Sequence, residues 1–131
     1  MIKAQVSNIT GSEDVNLFEF TSGEMKFYML GLENLDEFKI GDSIKLAFKS
    51  SDVIIATTPL KNCSLTNEIK ATISNLTKGN ITSVLHLKSL NFEFESIITT
   101  KSCERLNLKQ NDEIYAYVKA TSLYISDKNR D

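Results

Sequence analysis

The chain is poor in the residue types with which enzymes most often do chemistry. Its 131 residues include one histidine, two cysteines and no tryptophan. The histidine, His86, shares a face with Lys88 in an alternating segment, which predicts a solvent-facing strand residue. Cys63 and Cys103 form no CxxC pair, which argues against a zinc site, and we expect both to be packing thiols. With only five glycines and no glycine-rich phosphate loop, the sequence carries no recognisable catalytic motif. We predict that the chain is not an enzyme.

Long apolar runs and clustered positive charge are also missing. No stretch approaches the roughly 20 apolar residues of a membrane span, and the N-terminus has no signal-peptide core. The formal net charge is −2, and the 15 basic residues are scattered along the chain. Because a nucleic-acid surface needs a clustered basic face, this scatter argues against such a partner. We therefore expect a cytoplasmic protein with free thiols and no membrane partner.

What the sequence does contain is an internal repeat. Residues 2–10 (IKAQVSNIT) return as residues 69–77 (IKATISNLT), at an offset of 67. Residues 41–49 (GDSIKLAFK) are echoed by residues 111–119 (NDEIYAYVK), at an offset of 70. A repeat of this length predicts two small, similar domains. We place them at residues 1–58 and 59–131, with the segment around the only proline, Pro59, as the linker.

The periodicity in both copies is that of β-strands. Alternating apolar residues, such as Ile44, Leu46 and Phe48, predict strands with one buried face. The alternation breaks phase at Ser7-Asn8 and again at Ser74-Asn75, which predicts a β-bulge in each copy. Short helical turns are expected at residues 33–38 and 101–106, and a frayed tail at residues 126–131. The fold class is therefore all-β: two tandem, five-stranded antiparallel barrels of the OB-like type, each with one helical turn.

Donor-rich segments with few carboxylates stand at predicted strand ends of the second repeat. They are residues 63–67, residues 98–102 with Arg105 one turn on, and residues 118–122. Hydroxyls, backbone N–H groups and cations are the groups that hold a tetrahedral oxyanion. The same residue types are also common in loops and helix caps. Composition alone leaves both interpretations open.

The order of these segments resembles the TOBE, or Mop, domain that binds molybdate and tungstate. That family opens with Ser-x-Arg-Asn, continues with Ile-Thr-x-x-Ser, and ends with Lys-Ala-x-x-Val. The matching segments here are residues 64–67 (SLTN), 98–102 (ITTKS) and 119–123 (KATSL). The resemblance covers nearly all of the second repeat and extends more loosely to the first. A tandem arrangement is similar to molbindins, to the C-terminal domain of molybdate-transporter ATPase subunits and to molybdate-responsive regulators.

The resemblance implies a bound molybdate or tungstate and a set of ligands in the second repeat. Ser64, Thr99 and Ser102 would donate hydroxyls. Arg105 and Lys119 would supply positive charge, and backbone N–H groups around Ala120 would complete the shell. Thr66 departs from the family pattern, which has arginine there. The implied site is Ser64, Thr66, Asn67, Thr99, Ser102, Arg105, Lys119, Ala120 and Thr121.

The resemblance also implies a homodimer or larger homo-oligomer, with sites at the interface. The implied role is molybdate-transport regulation or intracellular molybdenum homeostasis, with components of a molybdate transporter as further partners. In the first repeat, Asp52 follows Lys49-Ser50-Ser51 and would repel an oxyanion, so that copy is expected to act as scaffold.

Two other functions are compatible with the sequence. An OB-like nucleic-acid module would use Tyr115 and Tyr117 as stacking platforms. A purely structural dimerisation module would use the donor-rich residues as caps and solvated side chains.

Overall fold

The computed structural model describes residues 2–12, 14–31 and 37–129. It contains ten strands in two five-stranded antiparallel sheets, one α-helix and a 3-10 turn at Ser50–Asp52. The predicted all-β class is confirmed. No helix in these ranges has the length and apolar character needed to cross a membrane. The strands are β1 (Ile2–Ser12), β2 (Val15–Ser22), β3 (Met25–Gly31), β4 (Ser43–Ala47), β5 (Ile54–Ala56), β6 (Asn67–Lys78), β7 (Thr82–Lys88), β8 (Glu93–Thr99), β9 (Glu113–Val118) and β10 (Tyr124–Asn129), and the helix is α1 (Thr100–Arg105).

The first compact unit comprises Met1–Phe48 and Lys119–Asp131. Its sheet has the order β10-β4-β1-β2-β3. Alternating residues of these strands face inward and form the core, in which Phe18 and Phe20 stack with ring centroids 5.9 Å apart. Both phenylalanines are completely buried. Burial of such side chains is the main stabilising term in a unit of this size.

The second compact unit comprises Lys49–Val118, with the sheet order β5-β9-β6-β7-β8. Its core has the same pattern of alternating buried residues, including Ile69, Ile73 and Leu85. The buried Ser96 hydroxyl of β8 donates to the Val53 carbonyl, 3.0 Å away, just before β5. This bond joins one outer strand of the sheet, β8, to the residue that precedes the other outer strand, β5.

The two units do not follow the repeat boundary expected at residue 58. The segment that ends the first repeat, Ser50–Asp52 with β5, lies in the second unit. The segment that ends the second repeat, β10, lies in the first unit and pairs with β4 from Tyr124↔Ala47 to Asn129↔Ser43. The expectation of a frayed tail at residues 126–131 is therefore wrong for residues 126–129. Backbone pairing orders this segment although its side chains lack apolar alternation.

Both predicted bulges are present. The β1–β2 register shifts between Val6 and Asn8, and the β6–β7 register shifts between Ile73 and Asn75. In each bulge a serine hydroxyl donates to a carbonyl of the next strand: Ser7 to Glu19 at 3.0 Å and Ser74 to His86 at 3.1 Å. The extra residue bends each long strand and increases its twist, which lets one strand serve two neighbours.

The helical turn predicted at residues 101–106 is confirmed as α1, which begins one residue earlier. The turn predicted at residues 33–38 falls mostly on residues outside the described ranges. The turn before the fourth strand of each repeat is shared in detail. Lys39 N–H donates to the Asp42 carboxylate at 3.0 Å, and Lys109 N–H donates to the Asp112 carboxylate at 2.9 Å. These equal contacts support the common origin of the two repeats.

Candidate functional site

A cluster of hydroxyl and guanidinium groups lies at the end of β8. It consists of Thr99, Ser102 and Arg105 and is called the α1 cluster below. Thr99 is the N-cap of α1, and its Oγ1 accepts from Ser102 N–H at 3.1 Å and donates to Ser102 Oγ at 2.9 Å. One turn on, Arg105 Nη2 donates to Ser102 Oγ at 3.5 Å. Thr99 and Arg105 are exposed, and Ser102 is partly exposed. The structure thus brings three of the predicted site residues together, with polar atoms that solvent can reach.

Thr100, which the sequence did not single out, anchors this cluster. Its side chain is buried, with Oγ1 donating to the Gly79 carbonyl at 2.8 Å and 2.8 Å from Ser83 Oγ. Its N–H donates to the Ile81 carbonyl at 2.8 Å. A Cβ on Gly79 would lie 2.6 Å from the Thr82 carbonyl oxygen, so only glycine fits there. These contacts fix the start of α1, and with it the direction in which Thr99 and Ser102 point. The sequence signal, a second threonine beside Thr99, was too weak to identify this role.

The lead segment, residues 64–67, runs into the start of β6. Asn67 is fully buried and pairs with Val118 at the end of β9. Ser64 and Thr66 precede it and are exposed. The pairing of Asn67 with β9 holds the end of the segment against the sheet, while Ser64 and Thr66 are exposed to solvent.

Lys119, Ala120 and Thr121 form a reverse turn in the first unit. Ser122 N–H donates to the Lys119 carbonyl at 2.9 Å, and the Ala120 carbonyl accepts from Leu30 N–H of β3 at 3.0 Å. The side chains of Lys119 and Thr121 are exposed. The turn therefore uses backbone groups for its own stability and leaves the lysine side chain open to solvent.

The nine predicted residues thus fall into three groups in two units. Six lie in the second unit, as the lead segment and the α1 cluster, and three lie in the turn of the first unit. Along β6 the lead segment and the α1 cluster stand at opposite ends of the sheet. Asn67 is the first residue of β6 and Lys78 is the last. Lys78 pairs with Ser83 of β7, which in turn pairs with Ile98 of β8, the residue before Thr99.

Tyr117 is not the exposed stacking platform that a nucleic-acid module would need. It is 2% exposed, donates to the Glu68 carboxylate at 2.6 Å and accepts from Leu60 N–H at 2.8 Å. Burial raises the pKa of the Tyr117 hydroxyl, and its hydrogen bond to Glu68 raises that pKa further. This tyrosine therefore holds the linker segment near Leu60 onto the second unit, which strand periodicity could not reveal.

We expect Tyr117→Phe to destabilise the second unit by about 1–2 kcal/mol, because Leu60 N–H and Glu68 each lose a partner. Urea unfolding at neutral pH measures this loss, with Tyr115→Phe as the matched control on the same strand.

The raised pKa of the Tyr117 hydroxyl also makes the stability of the second unit depend on pH. The contribution of the neutral hydroxyl is complete below the unfolded pKa of about 10 and is lost as the pH rises through the higher folded value. A Tyr117→Phe protein with unchanged stability, or with the wild-type decline at alkaline pH, would contradict this role.

The remaining candidates for chemistry have structural surroundings. Cys103 is buried in α1, whereas Cys63 is exposed, so the interpretation of both cysteines as packing thiols is wrong for Cys63. His86 Nδ1 lies 2.9 Å from the Glu95 carboxylate of the neighbouring strand, with its side chain 41% exposed. This is a cross-strand pair on the outer face of the sheet, in line with the solvent-facing position predicted for it.

Known proteins similar to this chain include one relative in sequence and one in structure. No protein-family model matches the chain. The molybdenum import ATP-binding protein ModC of Rhizobium johnstonii is 34% identical over 84 residues, 63% of this chain. The match spans only 24% of ModC. A crystal structure of the cytoplasmic molybdate-binding protein ModG, with molybdate bound, matches with a TM-score of 0.89 at 19% identity. The structural match covers 95% of this chain and 92% of the ModG chain. The fold implied by the sequence resemblance is thereby confirmed.

Proposed function

We propose that this chain binds molybdate or tungstate as an intact oxyanion, without catalysis. Its role would be in molybdate-transport regulation or intracellular molybdenum homeostasis in the cytoplasm. The observation that carries the proposal is the accessible cluster of Thr99, Ser102 and Arg105, in a chain that has the fold of a molybdate-binding protein over nearly its whole length. The partial match to ModC supports the link to molybdate import.

The chemistry of the three groups suits a tetrahedral dianion. Thr99, Ser102, Ser64 and Thr66 offer hydroxyls that can turn to donate to oxyanion oxygens. Arg105 and Lys119 would balance the charge, and hydrogen bonds to a charged acceptor are about twice as strong as neutral ones. Asn67 would position the lead segment, while Ala120 and Thr121 would add backbone and hydroxyl donors. Because Thr66 stands where the family has arginine, Arg105 and Lys119 would carry more of the charge balance.

We propose further that the chain forms a homodimer or larger homo-oligomer and that its sites are completed by segments from two copies. Two observations support this. The lead segment and the α1 cluster stand at opposite ends of β6 along the sheet. Each unit is also small, and small units gain stability by association. Sedimentation with and without molybdate tests the assembly.

A thermal melt with molybdate, tungstate and sulfate tests the binding proposal. Free ligand at about 100 times its Kd should stabilise the folded protein by about 2.7 kcal/mol. For a domain of this size that is a rise of several degrees in Tm. Sulfate has the same charge and shape but smaller dimensions, and it serves as the control. Absence of any shift with millimolar molybdate or tungstate would rule the proposal out.

A further inference from the structure

A polar groove lies in the first unit, in the repeat expected to act as scaffold. Its volume is about 440 Å³, and it opens beside β1 where the β1–β2 ladder ends at Gln5↔Thr21. It is lined by residues of β1, β2 and β4 and of the turn after β2, among them Lys3, Gln5, Thr21 and Ser43. The Ser22 hydroxyl donates to the Lys3 carbonyl at 2.7 Å and fixes the end of β2 against β1.

The donors in this groove are not opposed by an acid. Lys3 contributes an ammonium group, Thr21 and Ser43 contribute hydroxyls, and Gln5 contributes an amide. None of the described residues that line it carries a carboxylate. Glu24, which follows Gly23 in the β2–β3 turn, is not part of the lining. The groove thus presents cationic and neutral donors only.

The second repeat shows what happens when the matching position is acidic. Lys70 corresponds to Lys3 at the offset of 67, and Glu113 corresponds to Ser43 at the offset of 70. There the Lys70 ammonium lies 3.3 Å from the Glu113 carboxylate, so the acid neutralises the lysine. In the first repeat Ser43 replaces this acid, so Lys3 lacks that partner.

The strand register places a like charge beside Lys3. Lys3 stands directly opposite Lys45 in the β1–β4 ladder, and like charges in that position repel each other. Among the residues that the structure describes, no acid is paired with Lys3 in the ladder, because the β1–β2 pairing begins at Gln5. A bound anion would relieve the repulsion.

We infer that this groove binds a small organic anion that carries a phosphate group. The ammonium, hydroxyl and amide donors suit the phosphate oxygens. The volume lies in the range of small-molecule pockets, so it leaves room for an organic group beyond the phosphate. The site is separate from the α1 cluster in residues and in unit, and it does not depend on molybdate binding.

Titration with glycerol 3-phosphate, followed by backbone amide NMR, tests this inference in the full chain. Glycerol serves as the uncharged control. We expect saturable shifts at residues 3–5, 21–23 and 43, and none of this pattern with glycerol. Lys3→Gln should weaken binding about tenfold or more, the loss of one charge-assisted hydrogen bond. Ser43→Glu should have the same effect by recreating the Lys70–Glu113 ion pair.

Lys70→Gln is the matched control and should bind glycerol 3-phosphate like the wild type. The molybdate-dependent rise in Tm should be unchanged in Lys3→Gln, which separates this groove from the proposed oxyanion site. Wild-type affinity for glycerol 3-phosphate in both Lys3→Gln and Ser43→Glu would overturn the inference. So would shifts that do not saturate, or that centre on residues outside the groove.

Discussion

Deletion of residues 124–131 is expected to abolish the stable structure of the first unit, although these residues belong to the second sequence repeat. The deletion removes β10, which leaves the N–H and C=O groups of β4 unpaired along five residue pairs. The unit has about 60 residues, and native stability is only about 0.05–0.15 kcal/mol per residue. Amide hydrogen exchange should therefore show loss of protection in β1–β4, while β6–β9 keep theirs.

Two point substitutions make the same test without shortening the chain. Leu123 lies in the second repeat but is buried in the first unit, and Val53 lies in the first repeat but is buried in the second unit. Leu123→Ala should lower protection in β1–β4, with a cost of about 2–5 kcal/mol. Val53→Ala should instead lower protection in β6–β9. If each substitution affected the unit of its own sequence repeat, the exchange of final strands would be wrong.

Lys119→Ala is expected to remove most of the stabilisation by molybdate. The Lys119 side chain is exposed, and its carbonyl makes the turn contact with Ser122 N–H, so the substitution leaves that backbone hydrogen bond in place. The free energy of unfolding of the unliganded protein should thus change by no more than about 0.5 kcal/mol. The loss of a cation from an oxyanion shell should lower affinity about tenfold to a hundredfold. Calorimetric titration with molybdate measures that loss directly.

Lys49→Ala is the matched control for this experiment. Lys49 occupies the equivalent turn of the first repeat, where Asp52 N–H donates to its carbonyl at 2.9 Å. Asp52 would repel an oxyanion there, so we expect the Lys49→Ala protein to bind molybdate like the wild type. Equal losses in the two variants would show that both turns contribute ligands. Wild-type affinity in Lys119→Ala would exclude this lysine from the site.

The sequence predicted the elements of the fold well because local patterns determine them. Alternation of apolar residues identified the strands, and a break in that alternation at Ser7-Asn8 and Ser74-Asn75 located both bulges. A bulge changes which face each following residue occupies, so it leaves a mark in the apolar pattern itself. The start of α1 also has a local signal, since Thr99 is an N-cap threonine.

Features that depend on distant segments were not predictable in this way. Residues 126–129 are polar and read as a tail, yet β4 orders them by backbone pairing that their side chains do not encode. Tyr117 lies on the outward side of the alternation, but the linker near Leu60 covers it. The candidate site was predicted only as three separate segments. The sequence motifs identified the donor residues. Thr100 orients one segment through its hydrogen bonds to β7 and to the turn between β6 and β7, and it gave no usable signal in the sequence.

The exchange of final strands also fixes the order in which the chain can fold during synthesis. Residues 49–118 form a complete unit that lies, in the chain, inside the other one. Residues 2–48 leave the ribosome before the inner unit, but their sheet lacks β10 until residues 124–129 have emerged. At about 5–20 residues per second, the first-made segment waits several seconds with β4 unpaired. The unit that begins first is thus finished last, and it must remain unaggregated while the inner unit folds.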